Sequence, residues 1–279
     1  MQSLSGVNKA PYAFDHTTNI PHVFVRNITA KVVVSEDERN ASYRIRYRSY
    51  HPHGFVPDKE DGLFYDAFDV RGYATSFVIY ENEEAIATLR LCRSDPEGGA
   101  SLGDTIPCAE TFGPEIIQIQ NDLISKGRSP MIAEVTRLAK VPEVCSDNTI
   151  TLALFKMLKY LAMSSKAEIV LVAVRFPHIK FYRRLGFRIL EAPRFVEQYN
   201  TSLALMGCDR DDFAGIESQA RLILRCNGLP SMPAFDNVGK RFLRGEAVPV
   251  FPTYCDEERD PDEGGMPLAM VYHTNLRVC

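Results

Sequence analysis

The sequence predicts a mixed α/β domain, and three observations support that fold class. EIVLVAV (168–174) is a near-continuous apolar run of strand length, which is typical of a strand covered on both faces of a sheet. TITLALFKMLKYLAMSS (149–165) carries apolar residues at helical spacing and predicts a helix packed on that sheet. A hydrophobic fraction of 45% and a charged fraction of 24% are those of an ordinary globular protein. The domain is predicted to span residues 28–226.

The first predicted element is a strand at ITAKVVV (28–34), which is rich in β-branched residues. Ser35 and Glu38 form a capping-box pattern that opens a helix running through RYRSY. DGLFYDAFDVRG is acidic and aromatic and is predicted to be a loop. YATSFVIY and EAIATLRLCR predict a hairpin that turns between Glu81 and Glu84.

The rest of the domain is predicted to continue the alternation of helices and strands. Its other elements are a helix around 114–126, a strand at 131–141, a short helix and a strand within PHIKFYRRLGFRIL, a strand at TSLALMG and a helix ending near 226. Residues 1–27 are polar and aperiodic, which predicts a mobile N-terminal arm. Residues 227–279 carry prolines, glycines and the acidic run DEERDPDE, which predicts a C-terminal extension.

Composition excludes several classes of protein. A net charge of −4 does not favour a nucleic-acid binder. The 7 cysteines are scattered without a C-x-x-C pair, so neither a zinc site nor a disulfide framework is indicated, and the histidines are not at metal-ligand spacing. There is no signal-peptide pattern and no apolar stretch near the ~20 residues that span a bilayer. The prediction is a cytoplasmic protein without a bound metal or an integral membrane segment.

The predicted strand MIAEVTRLAKV (131–141) carries charges that an apolar strand does not need. Alternation along a strand puts Glu134 and Thr136 on one face and Arg137 on the other. A buried charge is costly unless it is paired or used. These residues therefore predict a strand that runs beside a reaction centre.

FYRRLGF (181–187), after an apolar strand and a short helix, resembles the closing segment of the GCN5-related N-acyltransferase fold. That resemblance implies a central mixed, twisted sheet flanked by helices, with central strands 131–140 and 168–174 splaying apart. It also implies that Tyr182 protonates the leaving thiolate. The alternative is that Tyr182 is a packing residue and Gly186 a helix C-cap.

One departure from that fold family concerns the acyl donor. The acetyltransferases of the family carry a glycine-containing loop after the central strand for the pyrophosphate of coenzyme A. The corresponding KVPEVCSDNT (140–149) contains no glycine, and a backbone phosphate cradle needs glycines. The sequence therefore argues against a standard acetyl-CoA enzyme.

An ordered set of charged and aromatic residues extends the resemblance toward the N-terminus. The set consists of R-x-x-x-[FY] at Arg46 and Tyr50, D-x-x-D at Asp66 and Asp69, R-L at Arg90, and E-x-[ST]-R at Glu134 and Arg137. It resembles the signature of acyl-homoserine-lactone synthases and of their relatives, the FeeM-type long-chain N-acyl amino acid synthases. The lactone synthases usually carry a tryptophan after the first helix. This chain has no tryptophan and has Phe55 near that place, so the resemblance is closer to the amino acid synthases.

That resemblance implies the acyl donor, and the chemistry of the charged residues themselves suggests a division of roles among them. The acyl group comes from acyl carrier protein on its phosphopantetheine arm, with no bound cofactor, and the acceptor is an amino acid. An amine nucleophile must lose a proton, so Glu134 is the candidate general base, directly or through a water. Asp66 and Asp69 are candidates to hold the ammonium group. Arg90 pairs with the acceptor carboxylate or orders the acidic loop, and Arg46 and Arg137 brace the network. The alternative is that all six charged residues form a structural ion-pair cluster.

A basic group follows the second central strand and has no acidic residue among its members. It consists of Arg175, Lys180, Arg183 and Arg184. In an acidic protein this local excess predicts a docking site for acidic acyl carrier protein, or else a solvated helix face. The function predicted from the whole sequence is transfer of a long-chain acyl group from acyl carrier protein to an amino acid. Two alternatives stay open: an acyl-homoserine-lactone synthase that uses S-adenosylmethionine, and a non-catalytic sensor of acyl carrier protein.

Overall fold

The computed structural model describes residues 26–197, 200–229 and 237–251. Most of the predicted N-terminal arm and residues 252–279 of the predicted extension lie outside these ranges. In the described chain eight strands form one sheet: β1 (Ile28–Val32), β2 (Ala74–Glu81), β3 (Glu84–Arg93), β4 (Ile132–Lys140), β5 (Ile169–Arg175), β6 (Arg188–Val196), β7 (Thr201–Asp209) and β8 (Val248–Pro249). Their spatial order is β6-β7-β5-β4-β3-β2-β1-β8.

Helices flank this sheet on both faces. They are α1 (Glu36–Tyr50), α2 (Leu102–Thr105), α3 (Ala109–Ser125), α4 (Asn148–Ser164), α5 (Phe176–Arg184), α6 (Arg210–Phe213), α7 (Ile216–Leu224) and α8 (Val238–Leu243). None of the helices within the described ranges has the length and apolar character that a membrane span requires.

The two central strands diverge. β4 and β5 form the one parallel pairing of the described sheet, and that pairing covers three residue pairs and ends at Glu134 opposite Leu171. Beyond this point β4 remains paired with β3, and β5 remains paired with β7, both in antiparallel fashion. The predicted splaying of strands 131–140 and 168–174 is therefore confirmed, and Glu134 lies where it begins.

Side-chain contacts define which helices cover which face. The Ser42 hydroxyl of α1 lies 2.8 Å from the Thr88 hydroxyl of β3, so α1 covers the face from which Thr88 projects. The opposite face is covered by α4 and α8, where the rings of Phe77 and Phe242 are 5.7 Å apart. A second apolar cluster includes Cys92, Phe112 of α3 and Leu171, so α3 shares the α1 face.

Local sequence signals fix the ends of several elements as predicted. Ser35 Oγ accepts the Glu38 N–H at 3.3 Å, and Glu38 Oε2 accepts the Ser35 N–H at 2.9 Å, which is the predicted capping box of α1. The β2–β3 hairpin turns through Asn82 and Glu83 at φ values of 49° and 70°. Positive φ at both central residues is typical of the tight hairpin turns that match strand twist.

Part of the segment predicted to be an extension beyond residue 226 packs with the domain. β8 pairs with β1 at the sheet edge, and Phe242 and Val248 are fully buried. Lys156 of α4, itself 1% exposed, donates to the Val250 carbonyl at 2.8 Å. Residues 237–251 therefore belong to the core and the sheet.

Candidate active site

A polar ladder crosses the centre of the sheet on the face covered by α1 and α3. In the β3–β4 register Arg90 lies opposite Thr136, and Cys92 lies opposite Glu134. Arg90 Nε donates to Thr136 Oγ1 at 3.0 Å. Because alternate residues of paired strands share a face, these four side chains point the same way.

Arg137 joins this face, which corrects the prediction from strand alternation. The β3–β4 pairing shifts register between Thr88 and Arg90, and Arg137 adopts φ = 54°, in the left-handed region. Such a bulge inserts an extra residue and re-aims its side chain. Arg137 therefore reaches Asp66, the same carboxylate that Arg90 contacts.

Asp66 receives two guanidinium groups. Its Oδ1 accepts from Arg90 Nη1 at 2.6 Å, and its Oδ2 accepts from Arg137 Nη2 at 2.6 Å. It also caps a short 3₁₀ turn, because Oδ1 accepts the Phe68 N–H at 3.0 Å. The two arginines hold the pKa of this carboxyl below its usual range despite the opposing effect of burial.

Asp69, at the other end of this turn, is enclosed. Arg46 Nη1 donates to its two oxygens at 2.8 and 2.9 Å, and Arg90 Nη1 lies 2.9 Å from Oδ2. Arg46 also donates to Ser76 Oγ at 2.9 Å. The structure therefore brings five of the six predicted charged residues together, and their ion pairs tie the acidic loop to α1, β3 and β4.

Exposure divides this network into a closed end and an open end. The side chains of Arg46 and Arg90 are 0% exposed and that of Asp69 is 3% exposed. Those of Asp66 and Arg137 are 22% and 21% exposed. Two roles were predicted for Arg90. Its contacts fit the role of ordering the acidic loop, because its guanidinium is already paired with Asp66 and Asp69 of that loop.

Glu134 stands apart from the arginines and is almost fully buried, at 2% exposure. Its Oε2 accepts the backbone N–H of Cys108, just before α3, at 2.8 Å. Burial raises the pKa of Glu134 to about 7, against the opposing effects of the N–H and thiol of Cys108 and of the arginines. A carboxyl that titrates near neutrality is suited to exchange a proton with a substrate.

Cys108 is a residue of the site that the sequence did not reveal. Its thiol is buried beside Glu134, and burial with the neighbouring carboxylate raises its pKa well above the ordinary value. The thiol therefore stays protonated, and Cys108 contributes both its backbone N–H and its thiol as hydrogen-bond donors to Glu134. Cys108 precedes Glu134 by 26 residues, and no motif in the sequence links the two.

Two tyrosines lie at the splay. The Tyr50 hydroxyl of α1 donates to the Leu138 carbonyl, directly after the bulge, at 3.0 Å. Tyr182 of α5 packs edge-on against the rings of Phe181 and Phe187. Burial, and secondarily Tyr50, raise the pKa of Tyr182 to about 12, so its hydroxyl remains protonated at neutral pH. Within the described residues that hydroxyl has no hydrogen-bond partner.

The predicted basic group divides into two parts. Lys180, Arg183 and Arg184 are exposed on α5, and none forms an ion pair with a described carboxylate. Arg175, at the end of β5, is partly buried, with its guanidinium carbon 4.4 Å from the centre of the Phe55 ring. Phe64 lies similarly under Arg137, at 4.9 Å.

Comparison with known proteins supports an acyltransferase assignment. Residues 41–209 match the family described as "N-acyl amino acid synthase FeeM". The solved structure of FeeM, an N-acyl amino acid synthase from uncultured soil microbes, is similar with a TM-score of 0.55 and 18% identity, covering 68% of this chain and 94% of that chain. A search of curated proteins found no match.

A second solved structure is similar over much of its length. It is MesI, a CoA-dependent acyl-homoserine lactone synthase, with a TM-score of 0.51 and 18% identity, covering 75% of this chain and 100% of that chain. At these identities the two structures establish the fold. The predicted GCN5-related N-acyltransferase architecture, an open sheet with splayed central strands flanked by helices, is confirmed.

Proposed function

The chain belongs to the FeeM family of N-acyl amino acid synthases, and from that premise we propose that it transfers a long-chain acyl group from acyl carrier protein to the amine of a free amino acid. The observation that carries this proposal is the position of Glu134. A carboxyl whose pKa is about 7 lies where β4 and β5 separate. That place can receive a thioester between the strands and an amine beside the carboxyl.

The chemistry needs no covalent enzyme intermediate. The amine nitrogen attacks the thioester carbon and the C–S bond then breaks, so that the amine proton finally resides on the departing thiol. Glu134 accepts the proton through a water, because the carboxyl is only 2% exposed. Much of the acceleration comes from holding the two reactants in place.

Tyr182 serves the leaving group in this proposal. Its pKa of about 12 keeps the phenol protonated, and a protonated phenol can donate a hydrogen bond to a developing thiolate. The absence of another described partner for the hydroxyl leaves this donor available. Tetrahedral charge is stabilised by backbone N–H groups of β4 beyond Glu134, where β5 no longer pairs with it.

Within the charged network, the open end receives substrate and the closed end supports it. Asp66 is the carboxylate that is partly exposed, so it is the one that orients the incoming ammonium group. Asp69, Arg46 and Arg90 hold the acidic loop against the sheet. Arg137 shares Asp66 with Arg90 and limits how far that carboxylate can move.

Acyl carrier protein docks on the exposed basic side chains of α5 in this proposal. Lys180, Arg183 and Arg184 are free of described ion pairs and lie on the helix that also carries Tyr182. Docking there brings the phosphopantetheine arm to the splay. Charged docking surfaces act mainly on the association rate and lose strength with salt.

The test is mass spectrometry of the protein incubated with long-chain acyl carrier protein, all twenty amino acids and S-adenosylmethionine. The expected product is an N-acyl amino acid that is lost in Glu134→Gln and retained in Glu97→Gln, which changes an exposed glutamate. An acyl-homoserine lactone would replace the proposal with the lactone-synthase alternative. Binding of the carrier protein without any product would replace it with the sensor alternative.

A further inference from the structure

Three of the arginines near the splay are already committed to carboxylates of the protein. Arg46 is paired with Asp69, and Arg90 and Arg137 are paired with Asp66. A substrate carboxylate that approached any of the three would compete with a short internal ion pair. The proposed acceptor is an amino acid, so its own carboxylate needs a different cation.

Arg175 is the nearby arginine that has no such partner. No carboxylate of the described ranges lies within ion-pair distance of its guanidinium. It occupies the last position of β5, four residues beyond Leu171, where the pairing with β4 ends. It therefore stands at the open end of the splay.

The side chain of Arg175 is on the same side of the sheet as the proposed base. Leu171 and Ala173 pack in the apolar cluster that contains Phe112 of α3, and strand alternation puts Arg175 on their face. This is the face from which Glu134 projects, which places Arg175 apart from the outer basic surface of α5.

An aromatic ring positions the Arg175 guanidinium. The guanidinium carbon lies 4.4 Å from the centre of the Phe55 ring. This cation–π arrangement uses the face of the guanidinium, so the N–H groups along its edge can donate to an anion. The positive charge of Arg175 also acts to lower the pKa of Tyr50, against the larger effect of burial, and Tyr50 in turn acts to raise the pKa of Tyr182. Arg175 is therefore within electrostatic reach of Tyr50, which lies on the helix that covers this face of the sheet.

We propose that Arg175, positioned by Phe55, binds the α-carboxylate of the acceptor amino acid and selects free amino acids over acceptors that lack this charge. The proposal rests on the proposed function. It separates Arg175 from the docking surface formed by Lys180, Arg183 and Arg184. A phosphate of the phosphopantetheine arm is the other source of an anion at this place, and the experiment distinguishes the two.

The first measurement compares Arg175→Gln with the wild type in steady-state kinetics. Twenty amino acids and their carboxamides serve as acceptors, and long-chain acyl carrier protein is the donor. The wild type is expected to prefer free amino acids, and Arg175→Gln to raise the acceptor KM on the order of 10- to 100-fold and abolish that preference. The kcat and the donor KM should change little. Arg175→Lys should recover part of the preference because it keeps the charge.

Arg44→Gln is the matched control, because it removes one exposed positive charge from α1 without a described ion pair. A rise in donor KM in Arg175→Gln with acceptor preference intact would assign Arg175 to the donor phosphate and overturn the proposal. An unchanged acceptor KM would overturn it as well.

A second measurement needs no turnover, so it separates this proposal from the proposed function. Native mass spectrometry would compare binding of N-dodecanoyl amino acids with that of their carboxamides. Wild-type protein should retain the acids preferentially, and Arg175→Gln should bind both forms equally. Equal binding of both forms by the wild type would overturn the role of Arg175, whether or not the enzyme makes an N-acyl amino acid.

Discussion

At the scale of single residues, the charges in the central strand have different environments and therefore different chemistry. Arg137 and Glu134 lie three positions apart, yet Arg137 is paired with Asp66, while Glu134 has no ion-pair partner among the described residues and accepts from the N–H and the thiol of Cys108. Burial with so little compensation favours the neutral carboxyl, which brings its pKa to about 7. The same burial makes Glu134 responsive to pH in both catalysis and folding.

Glu134→Gln tests both consequences. In the wild type kcat should rise about tenfold per pH unit below pH 7 and level off above it, as the carboxyl loses its proton. In Glu134→Gln kcat should fall by about 10²- to 10⁴-fold, because a general base is lost. A wild-type kcat in this variant would remove Glu134 from the mechanism.

Stability should respond in the opposite direction to activity. The pKa of Glu134 is raised from 4.5 to about 7 on folding, so its contribution to stability is complete below pH 4.5 and is lost as pH rises through 7. We therefore compare the unfolding free energy of the wild type with that of Glu134→Gln. The wild-type value minus the variant value should fall by roughly 2 to 3 kcal/mol between pH 5 and pH 8. Denaturant unfolding at the two pH values measures this difference, and a constant value would contradict the raised pKa.

Tyr50 and Tyr182 should give opposite results when each is changed to phenylalanine. Tyr50→Phe loses the hydrogen bond to Leu138 and should cost about 1 kcal/mol of stability. Tyr182→Phe loses no described hydrogen bond and should leave the melting temperature unchanged, while kcat falls at least tenfold. Thermal melts and steady-state kinetics are measured on both variants, and each variant serves as the control for the other. Wild-type kcat in Tyr182→Phe would favour the packing role.

At the scale of elements, the bulge in β4 converts a strand into part of a site. Without it, alternation would send Arg137 to the face opposite Thr136. With it, Arg90 and Arg137 converge on one carboxylate, and the Tyr50 hydroxyl bonds the next carbonyl along the strand. The left-handed conformation of a non-glycine residue costs roughly 1 kcal/mol and is retained only where surrounding contacts enforce it.

Replacing Arg137 by glycine and by alanine separates this backbone cost from the ion pairs. Both variants lose the contact with Asp66, but glycine relieves the strain at φ = 54°. Arg137→Gly should therefore be more stable than Arg137→Ala by about 1 kcal/mol. Ala139→Gly, two positions along the same strand, should show the reverse order of alanine and glycine. Denaturant unfolding of the three variants measures these stability differences. If alanine were more stable than glycine at both positions 137 and 139, residue 137 would be unstrained.

Sequence predicted those elements whose cause is local. The capping box of α1, the β2–β3 hairpin and the apolar periodicity of α4 each depend on a few neighbouring residues, and all three are confirmed. The bulge was not predictable, because the left-handed position holds arginine and glycine is the usual signal. The partner of Glu134 was not predictable either, because a backbone N–H carries no side-chain signature.

At the scale of the whole molecule, the last described residues are another part of the fold that local sequence signals do not predict. A six-residue helix and a two-residue strand are too short to show periodicity, so the position of residues 238–249 in the core could not be predicted. Their role follows from distant contacts. β8 extends the sheet beyond β1, and Phe242 contacts the rings of Phe77 and Tyr160.

Chain-shortening variants test whether this segment is integral. A chain ending at residue 251 keeps α8, β8 and the Val250 carbonyl that accepts from Lys156. A chain ending at residue 236 exposes the pockets of Phe242, Val248 and Val250, all 0% exposed, at a cost of roughly 5 kcal/mol. It also removes the carbonyl that accepts from the buried Lys156 ammonium.

That cost is comparable with the whole stability of an ordinary domain, so the two chains should differ qualitatively. The chain ending at 251 should unfold cooperatively, and the chain ending at 236 should be largely unfolded at 25 °C. Circular dichroism melts measure the difference directly. Adding Lys156→Met to the shorter chain should recover part of its stability, because a buried amino group that has lost its Val250 acceptor is then replaced by an apolar side chain of similar volume. Equal melting of the two chains would show that the acyltransferase fold is complete without β8.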